Sequence, residues 1–141
     1  MKISEELLGE VVAHALEDPG NEVCGVVAVE GDGEGDGAQA RRVYRARNVH
    51  ASPMKFEIDP KELLDLHNAI EDEGGELGAI YHSHVRSKPY PSQTDVNFAA
   101  NWPGVEWIIV GLTAGKEPEV RSYLIDGGQI EEVPIGGSGA I

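Results

Sequence analysis

The chain is short of cysteine, short of positive charge, and has no long apolar run. Cys24 is the single cysteine in 141 residues. No intrachain disulfide can form and a cysteine-rich zinc site is excluded, so nitrogen and oxygen atoms must hold any metal. No apolar stretch approaches the ~20 residues of a membrane helix. The N-terminus, Met1-Lys2-Ile3-Ser4-Glu5-Glu6-Leu7, turns acidic at once and has no signal-peptide core, so the cytoplasm is the expected compartment. Lys and Arg number 11 against 25 Asp and Glu, a net charge of −14. That balance argues against nucleic acid, whose binding depends on neutralising phosphates. It names no partner by itself, since acidic surfaces also serve solubility. The hydrophobic fraction of 40% is ordinary for a soluble domain with a real core. One domain is expected over residues 1–135, with a flexible tail over 136–141.

Along the chain, Leu7, Leu8, Val11, Val12 and Ala15 recur at helical spacing behind a Ser4 cap. Pro19-Gly20 ends that helix, and His14 falls on its polar side as an expected surface residue. A buried-type strand follows from Asn21 to Val29, with Glu22 at its mouth. Gly31 to Gly37 reads as a flexible acidic hairpin connection. Its spacing imitates the start of a calcium loop but lacks the glutamate at position twelve, where Val43 stands. Arg41 to Val49 alternates like a strand, and its arginines suit either a charge-protected edge or the flank of a groove. Asp59-Pro60 opens a second helix to about Asp72, with Leu63, Leu64, Leu66 and Ile70 on its apolar side. Leu77 to His84 is a strand, and Ser92 opens a short helix. Strands are expected at Val105 to Leu112, Glu119 to Ile125 and Gln129 to Val133, the last two joined by a hairpin turn at Asp126-Gly127-Gly128. This order predicts a mixed α/β (α+β) fold, a largely antiparallel sheet flanked by helices.

The chemistry concentrates in Tyr81-His82-Ser83-His84 and Tyr90-Pro91-Ser92-Gln93-Thr94-Asp95. Residues i and i+2 of a strand share a face, so both imidazoles can reach one point. Ser92 and Asp95 have the spacing of a helix capping box, and a first turn facing the strand can both cap and offer Asp95. Two imidazoles and a carboxylate make three protein ligands, the number found in catalytic zinc sites that keep a position for water. The reading is a hydrolytic Zn²⁺ site held by His82, His84 and Asp95, one ion per chain.

The pattern His-x-His-x7-Ser-x2-Asp, with Glu22-Val23-Cys24-Gly25 upstream, resembles the JAMM motif of the MPN-domain (Mov34/MPN/PAD-1) zinc metalloproteases. Asn48, Ser52-Pro53, Phe56 and Asp59 resemble the intervening stretch of small prokaryotic members. The Tyr-His-Ser-His and Tyr-Pro-Ser-x-Thr-Asp runs are most similar to those of the Mec-type sulfur-carrier-protein–cysteine peptidases. The resemblance implies an MPN, cytidine-deaminase-like fold. It implies Glu22 as general base and Ser92 as hydrogen-bond donor to the oxyanion. It also implies a substrate whose flexible tail, often ending Gly-Gly, belongs to a ubiquitin-like or sulfur-carrier protein, such as a carrier–cysteine adduct in cysteine biosynthesis. Asn48, Ser52 and Phe56 on one side, and Arg86 and Lys88 in the Val85–Tyr90 loop, are the expected substrate-binding residues. Arg86 and Lys88 suit a carboxylate on the leaving group.

Three other functions compete. One is an isopeptidase removing a ubiquitin-like modifier from protein lysines. One is a non-catalytic MPN scaffold. The third makes Cys24 a nucleophile, although cysteines in apolar strands are usually inert. The oligomeric state is left open, a homodimer included.

Overall fold

The computed structural model describes residues 1–30, 38–113 and 116–136. Nine elements follow in order: α1 (Glu5–Glu17), β1 (Cys24–Glu30), β2 (Ala40–Ala46), α2 (Pro60–Asp72), β3 (Gly75–His84), α3 (Gln93–Ala99), β4 (Glu106–Gly111), β5 (Glu119–Asp126) and β6 (Gln129–Val133). The acidic 31–37 connection and residues 137–141 of the expected tail lie outside the described residues.

Local chemistry sets the element ends. The Ser4 hydroxyl accepts the Leu7 N–H at 3.1 Å and starts α1. Asp59 caps α2 through the Lys61 N–H at 2.8 Å, with Pro60 inside the first turn. Gly74, at φ 82°, supplies the left-handed residue that releases α2 into β3. Gly127 and Gly128 both have positive φ, 57° and 82°, which a two-residue turn of the type I′ kind requires between β5 and β6.

One sheet of six strands runs β2-β1-β3-β4-β5-β6. Only the β3–β4 pair is parallel; its crossover contains α3. Each face carries its own core. One gathers Cys24, Ile80, Phe56, Ile58 and Trp107 with Leu63 and Ile70 of α2 and Ala99 of α3. The other gathers Val27, Tyr81, Ile108 and Val110 with Val11 and Ala15 of α1. Beneath that face the Met1 ammonium meets Glu106 at 3.2 Å, and the Ser122 hydroxyl donates to the same carboxylate oxygen at 2.8 Å. The paired charges and the hydroxyl make the buried Glu106 tolerable.

Three local expectations are corrected. The strand expected to reach Val49 stops at Ala46, because Asn48 pairs instead with Ile58 and its side chain closes a turn. Leu64 is 57% exposed rather than part of the α2 apolar side. His14 is half-buried, its Nδ1 2.7 Å from the Tyr81 hydroxyl. For β2 the charge-protected edge describes the contacts: Arg45 is bonded to Glu17 and Arg42 to Glu73.

Gly25 has a packing reason. A Cβ there would strike the Tyr81 ring and the Tyr44 carbonyl. Gly25→Ala is therefore expected to destabilise the fold by about 1–3 kcal/mol. A lower denaturant midpoint at unchanged slope is the measurement, and a wild-type midpoint would contradict it.

Candidate functional site

The site lies at the carboxyl end of β3. His82 and His84 project to the α2–α3 face, and both are buried. Antiparallel register pairs Cys24 with His82. The pairing continues one step beyond β1: the Ser83 N–H donates to the Val23 carbonyl at 3.1 Å, and the Val23 N–H donates to Ser83 Oγ at 2.9 Å. One residue further, Glu22 comes level with His84, and residues opposed in an antiparallel pair share a face. Register alone thus brings a glutamate from sixty residues upstream to the histidines. Its carboxylate and the two imidazoles offer ligand atoms all within 4.8 Å of one another.

Asp95 arrives from the other side, in the first turn of α3. The Ser92 hydroxyl accepts the Asp95 N–H at 3.1 Å, and the Ser92 N–H donates to Asp95 Oδ2 at 2.9 Å. That capping box holds Oδ2 at 3.1 Å from His82 Nε2 and 3.3 Å from His84 Nε2, while the two Nε2 atoms are 3.0 Å apart. Ligands bonded to Zn²⁺ at 2.0–2.1 Å in a tetrahedron stand about 3.3 Å from one another. The His82–His84–Asp95 triangle has that size.

The hydrogen bonding fits a cation there. His84 Nδ1 lies 2.7 Å from the Lys88 carbonyl. A carbonyl only accepts, so Nδ1 carries the proton and the neutral ring presents a bare lone pair at Nε2. This outer partner is of the kind that fixes metal-binding histidines. The faces of His82 and Phe56 stack, with centroids 4.3 Å apart, while His82 Nδ1 finds no partner among the described residues. Lone pairs and a carboxylate oxygen crowded this closely repel unless a proton or cation sits among them.

Burial holds the His82 pKa below the usual histidine value against the pull of Asp95. At His84 burial acts the same way, but the bonds to Asp95 and the Lys88 carbonyl outweigh it and the value stands above normal. Burial would raise Asp95, yet the two imidazoles and the Ser92 N–H hold it far below the ordinary carboxylate range. Among the described residues the Glu22 carboxylate has no such partner. Burial raises it to about 7, with His84 opposing and Asp95 reinforcing. Two acids in one site are therefore pushed apart, which is how acid–base and ligand roles separate. Burial also pushes the Cys24 thiol up to about 12, which removes the thiolate that the competing nucleophile reading requires.

With this geometry in hand, similarity to known proteins becomes specific. Residues 4–126 match the family of prokaryotic homologs of the JAB domain. The chain belongs to that family. It is 35% identical over 133 residues to the CysO-cysteine peptidase of Mycobacterium tuberculosis, covering 94% of this chain and 88% of that protein. It is 35% identical over 114 residues to the desampylase of Haloferax volcanii, covering 77% and 78%. A JAB1/MPN domain protein from Archaeoglobus fulgidus superposes with a TM-score of 0.59 at 20% identity, over 97% of this chain and 100% of that one, and shares the fold. The JAB-family fold is thus the mixed, largely antiparallel sheet expected from the sequence.

The remaining expected site residues divide into two groups. Asn48 spends every side-chain bond on protein: Nδ2 donates to the carbonyls of Glu22 and Lys55, each at 3.0 Å, and Oδ1 accepts the N–H groups of His50 and Glu57, each at 3.1 Å. The Ser52 carbonyl accepts the Glu22 N–H at 2.8 Å, and its hydroxyl accepts the Met54 N–H at 3.0 Å. Asn48 and Ser52 therefore clamp the backbone of Glu22, and Phe56, carried by the same loop, backs His82. Arg86 and Lys88 are exposed on the opposite side. They line a cavity of about 830 Å³ together with Lys116 and Tyr123, residues that carried no sequence signal for the site. A second cavity, about 740 Å³ and lined by Phe56, Leu63, Thr94, Phe98 and Trp102, flanks the His82 side.

Proposed function

We propose that this JAB-family chain is a zinc metallopeptidase. It hydrolyses the amide bond that follows the Gly-Gly end of a ubiquitin-like sulfur carrier, such as a carrier–cysteine adduct. His82, His84 and Asp95 hold one Zn²⁺. The observation that carries this reading is the triangle of ligand atoms at 3.0, 3.1 and 3.3 Å with Glu22 beside it. Relatives named for a CysO-cysteine adduct and for desampylation support the substrate class. No helix among the described residues is long and apolar enough to cross a membrane, and the proposed setting is cytoplasmic.

Bound Zn²⁺ supplies Lewis acidity and brings the pKa of a coordinated water toward ~7. The protein's own groups do the rest. Glu22 takes the proton of the attacking water and delivers it to the departing amine nitrogen, work suited to a carboxyl raised to about 7 by burial. Ser92 uses its hydroxyl oxygen to accept the Asp95 N–H, which leaves the O–H proton to donate to the oxyanion. Asn48 and Ser52 fix the Glu22 backbone from both its N–H and its carbonyl.

The test is cleavage of a carrier–cysteine conjugate, read by mass. A chelator should abolish it, added Zn²⁺ should restore it, and a thiol alkylator should leave it intact because Cys24 is buried. Turnover that survives complete metal removal would refute the proposal. Ser92→Ala should lower kcat by about 10²–10³ with little change in KM, the usual effect of losing one oxyanion donor. Equal loss of zinc content in that variant would show instead that Ser92 matters through its cap on Asp95.

A further inference from the structure

We infer that the cavity under the Val85–Tyr90 loop is a specificity pocket for the free α-carboxylate of the leaving residue. This rests on the peptidase reading above and selects, within it, a released amino acid over a protein lysine.

The pocket is electrostatically out of character with the rest of the molecule. The net charge of the chain is −14. Yet this cavity of about 830 Å³ is lined by four cationic side chains, Arg86, Lys88, Lys116 and Arg121. Arg121 is consumed by Glu119 at 2.6 Å and Glu132 at 2.8 Å. Among the described residues Arg86, Lys88 and Lys116 make no ion pair, and only Glu117 of the lining acids is likewise unpaired. Four cations against three acids leave the lining with a net charge of +1, and the groups without an ion pair among the described residues are three cations and one acid.

The wall is also fixed to the metal triangle. The Lys88 carbonyl holds His84 Nδ1 at 2.7 Å while the Lys88 side chain lines the cavity. The Tyr123 hydroxyl donates to the Pro89 carbonyl, and the Tyr90 ring packs edge-on against Tyr123. Pro89 seats on Gly111, where a Cβ would meet its ring at 2.7 Å, and the Leu112 N–H bonds the His84 carbonyl at 2.9 Å. The backbone of residues 88–90 is thus anchored by groups from β3, β4 and β5, while the charged ends of Arg86 and Lys88 stay free. The anchored backbone confines the ordering needed on binding to the side-chain ends.

The chemistry of the leaving group decides which ligand suits the pocket. In a carrier–amino acid adduct the carboxylate hangs from the carbon bonded to the scissile nitrogen. In an isopeptide the scissile nitrogen sits at the end of a lysine side chain, with no carboxylate near it. A pocket starting one residue after His84 and bearing three free cations matches the first arrangement.

The test uses a ubiquitin-like domain ending Gly-Gly-Cys, prepared with a free terminal carboxylate and as the terminal carboxamide. The same domain is also joined through Gly-Gly to the Nζ of a lysine peptide. Zinc-loaded protein should cleave the acid about tenfold or more faster in kcat/KM than the carboxamide, as expected for losing charge-assisted bonds. It should cleave the acid faster than the lysine conjugate by at least as much. Arg86→Ala, Lys88→Ala and Lys116→Ala should each erode the preference for acid over amide, and the triple variant should abolish it. In each variant kcat/KM should fall more for the acid than for the carboxamide, and Lys88→Ala keeps the backbone carbonyl that orients His84. As a readout independent of turnover, the Glu22→Gln protein should bind the acid about tenfold tighter than the carboxamide. Equal handling of acid and amide by the wild-type protein would overturn the pocket and leave the peptidase reading standing. Cleavage of none of the three conjugates would overturn both.

Discussion

Glu22→Gln is expected to keep its Zn²⁺ and lose turnover by about 10²–10⁴-fold, the range contributed by a positioned general base. The amide is nearly isosteric and keeps the backbone clamp, because the Glu22 N–H to the Ser52 carbonyl and the Glu22 carbonyl to Asn48 Nδ2 are main-chain contacts. What disappears is the proton acceptor. A second consequence concerns stability. Burial raises the Glu22 carboxyl from 4.5 to about 7 in the metal-free fold, with His84 opposing and Asp95 reinforcing. A folded-state pKa above the unfolded one means that the folded protein binds the extra proton. Stability is therefore lost as pH rises from about 4.5 through 7. The glutamine stays neutral across that window. Metal-free Glu22→Gln should match the wild type near pH 4 and be more stable by about 2 kcal/mol at pH 8, discounted for partial solvent access. Denaturant titrations at the two pH values measure it. Wild-type turnover in the variant would remove Glu22 from the mechanism, and a variant less stable at pH 8 would contradict the strained carboxylate.

The three candidate ligands could be picked out in the sequence because strand periodicity places His82 and His84 on one face and helix-capping spacing places Asp95 three residues after Ser92. Both rules are local, and the structure brings the three side chains together at 3.0 to 3.3 Å. Glu22 is a different case. No local spacing rule marks it, and only the resemblance to the JAMM pattern singled it out. Its place depends on the β1–β3 register, a long-range property fixed by which strands pair. The contributions of Asn48 and Ser52 were legible as positions but not as roles. The sequence suggested that they face substrate, whereas their polar groups face Glu22 and the 48–57 loop. The side-chain bonds of an asparagine cannot be assigned before the turn around it is known. Lys116 and Tyr123 were invisible as site residues for a related reason. They reach the Val85–Tyr90 loop only because β4 and β5 line up beside β3. The elements themselves followed their local signals closely; the departures at His14 and the end of β2 arise where a tertiary partner outranked a periodic pattern, while Leu64 is exposed at the second cavity.

Asp95→Asn should do the reverse of Glu22→Gln: it should lose the metal and with it the activity. Two carboxylates approach the same pair of imidazoles, and distance alone makes either a potential third ligand. The triangle with Asp95 closes at 3.1 and 3.3 Å, while Glu22 and the two imidazoles lie within 4.8 Å of one another without a hydrogen bond from either imidazole to Glu22 among the described residues. Their electrostatics differ in the same sense. Asp95 is held well below the ordinary carboxylate range, since the histidines and the Ser92 N–H more than offset its burial, whereas burial raises Glu22 to about 7. A dication recruits the carboxylate that is already charged and already aimed. Asparagine can still accept the Ser92 N–H through its carbonyl oxygen, and the Ser92 hydroxyl can still take the backbone N–H at position 95. The α3 cap should therefore survive, and a near-normal melting curve for the metal-free variant would show it. Zinc affinity, measured against a competing chelator, should fall by at least about 10²-fold, the upper end of what even an outer partner of a ligand contributes. Turnover at limiting zinc should fall with it. If Asp95→Asn bound zinc like the wild type while Glu22→Gln lost it, the ligand and base assignments would be exchanged. Loss of zinc in both variants would make Glu22 a fourth protein ligand and close the position that water needs.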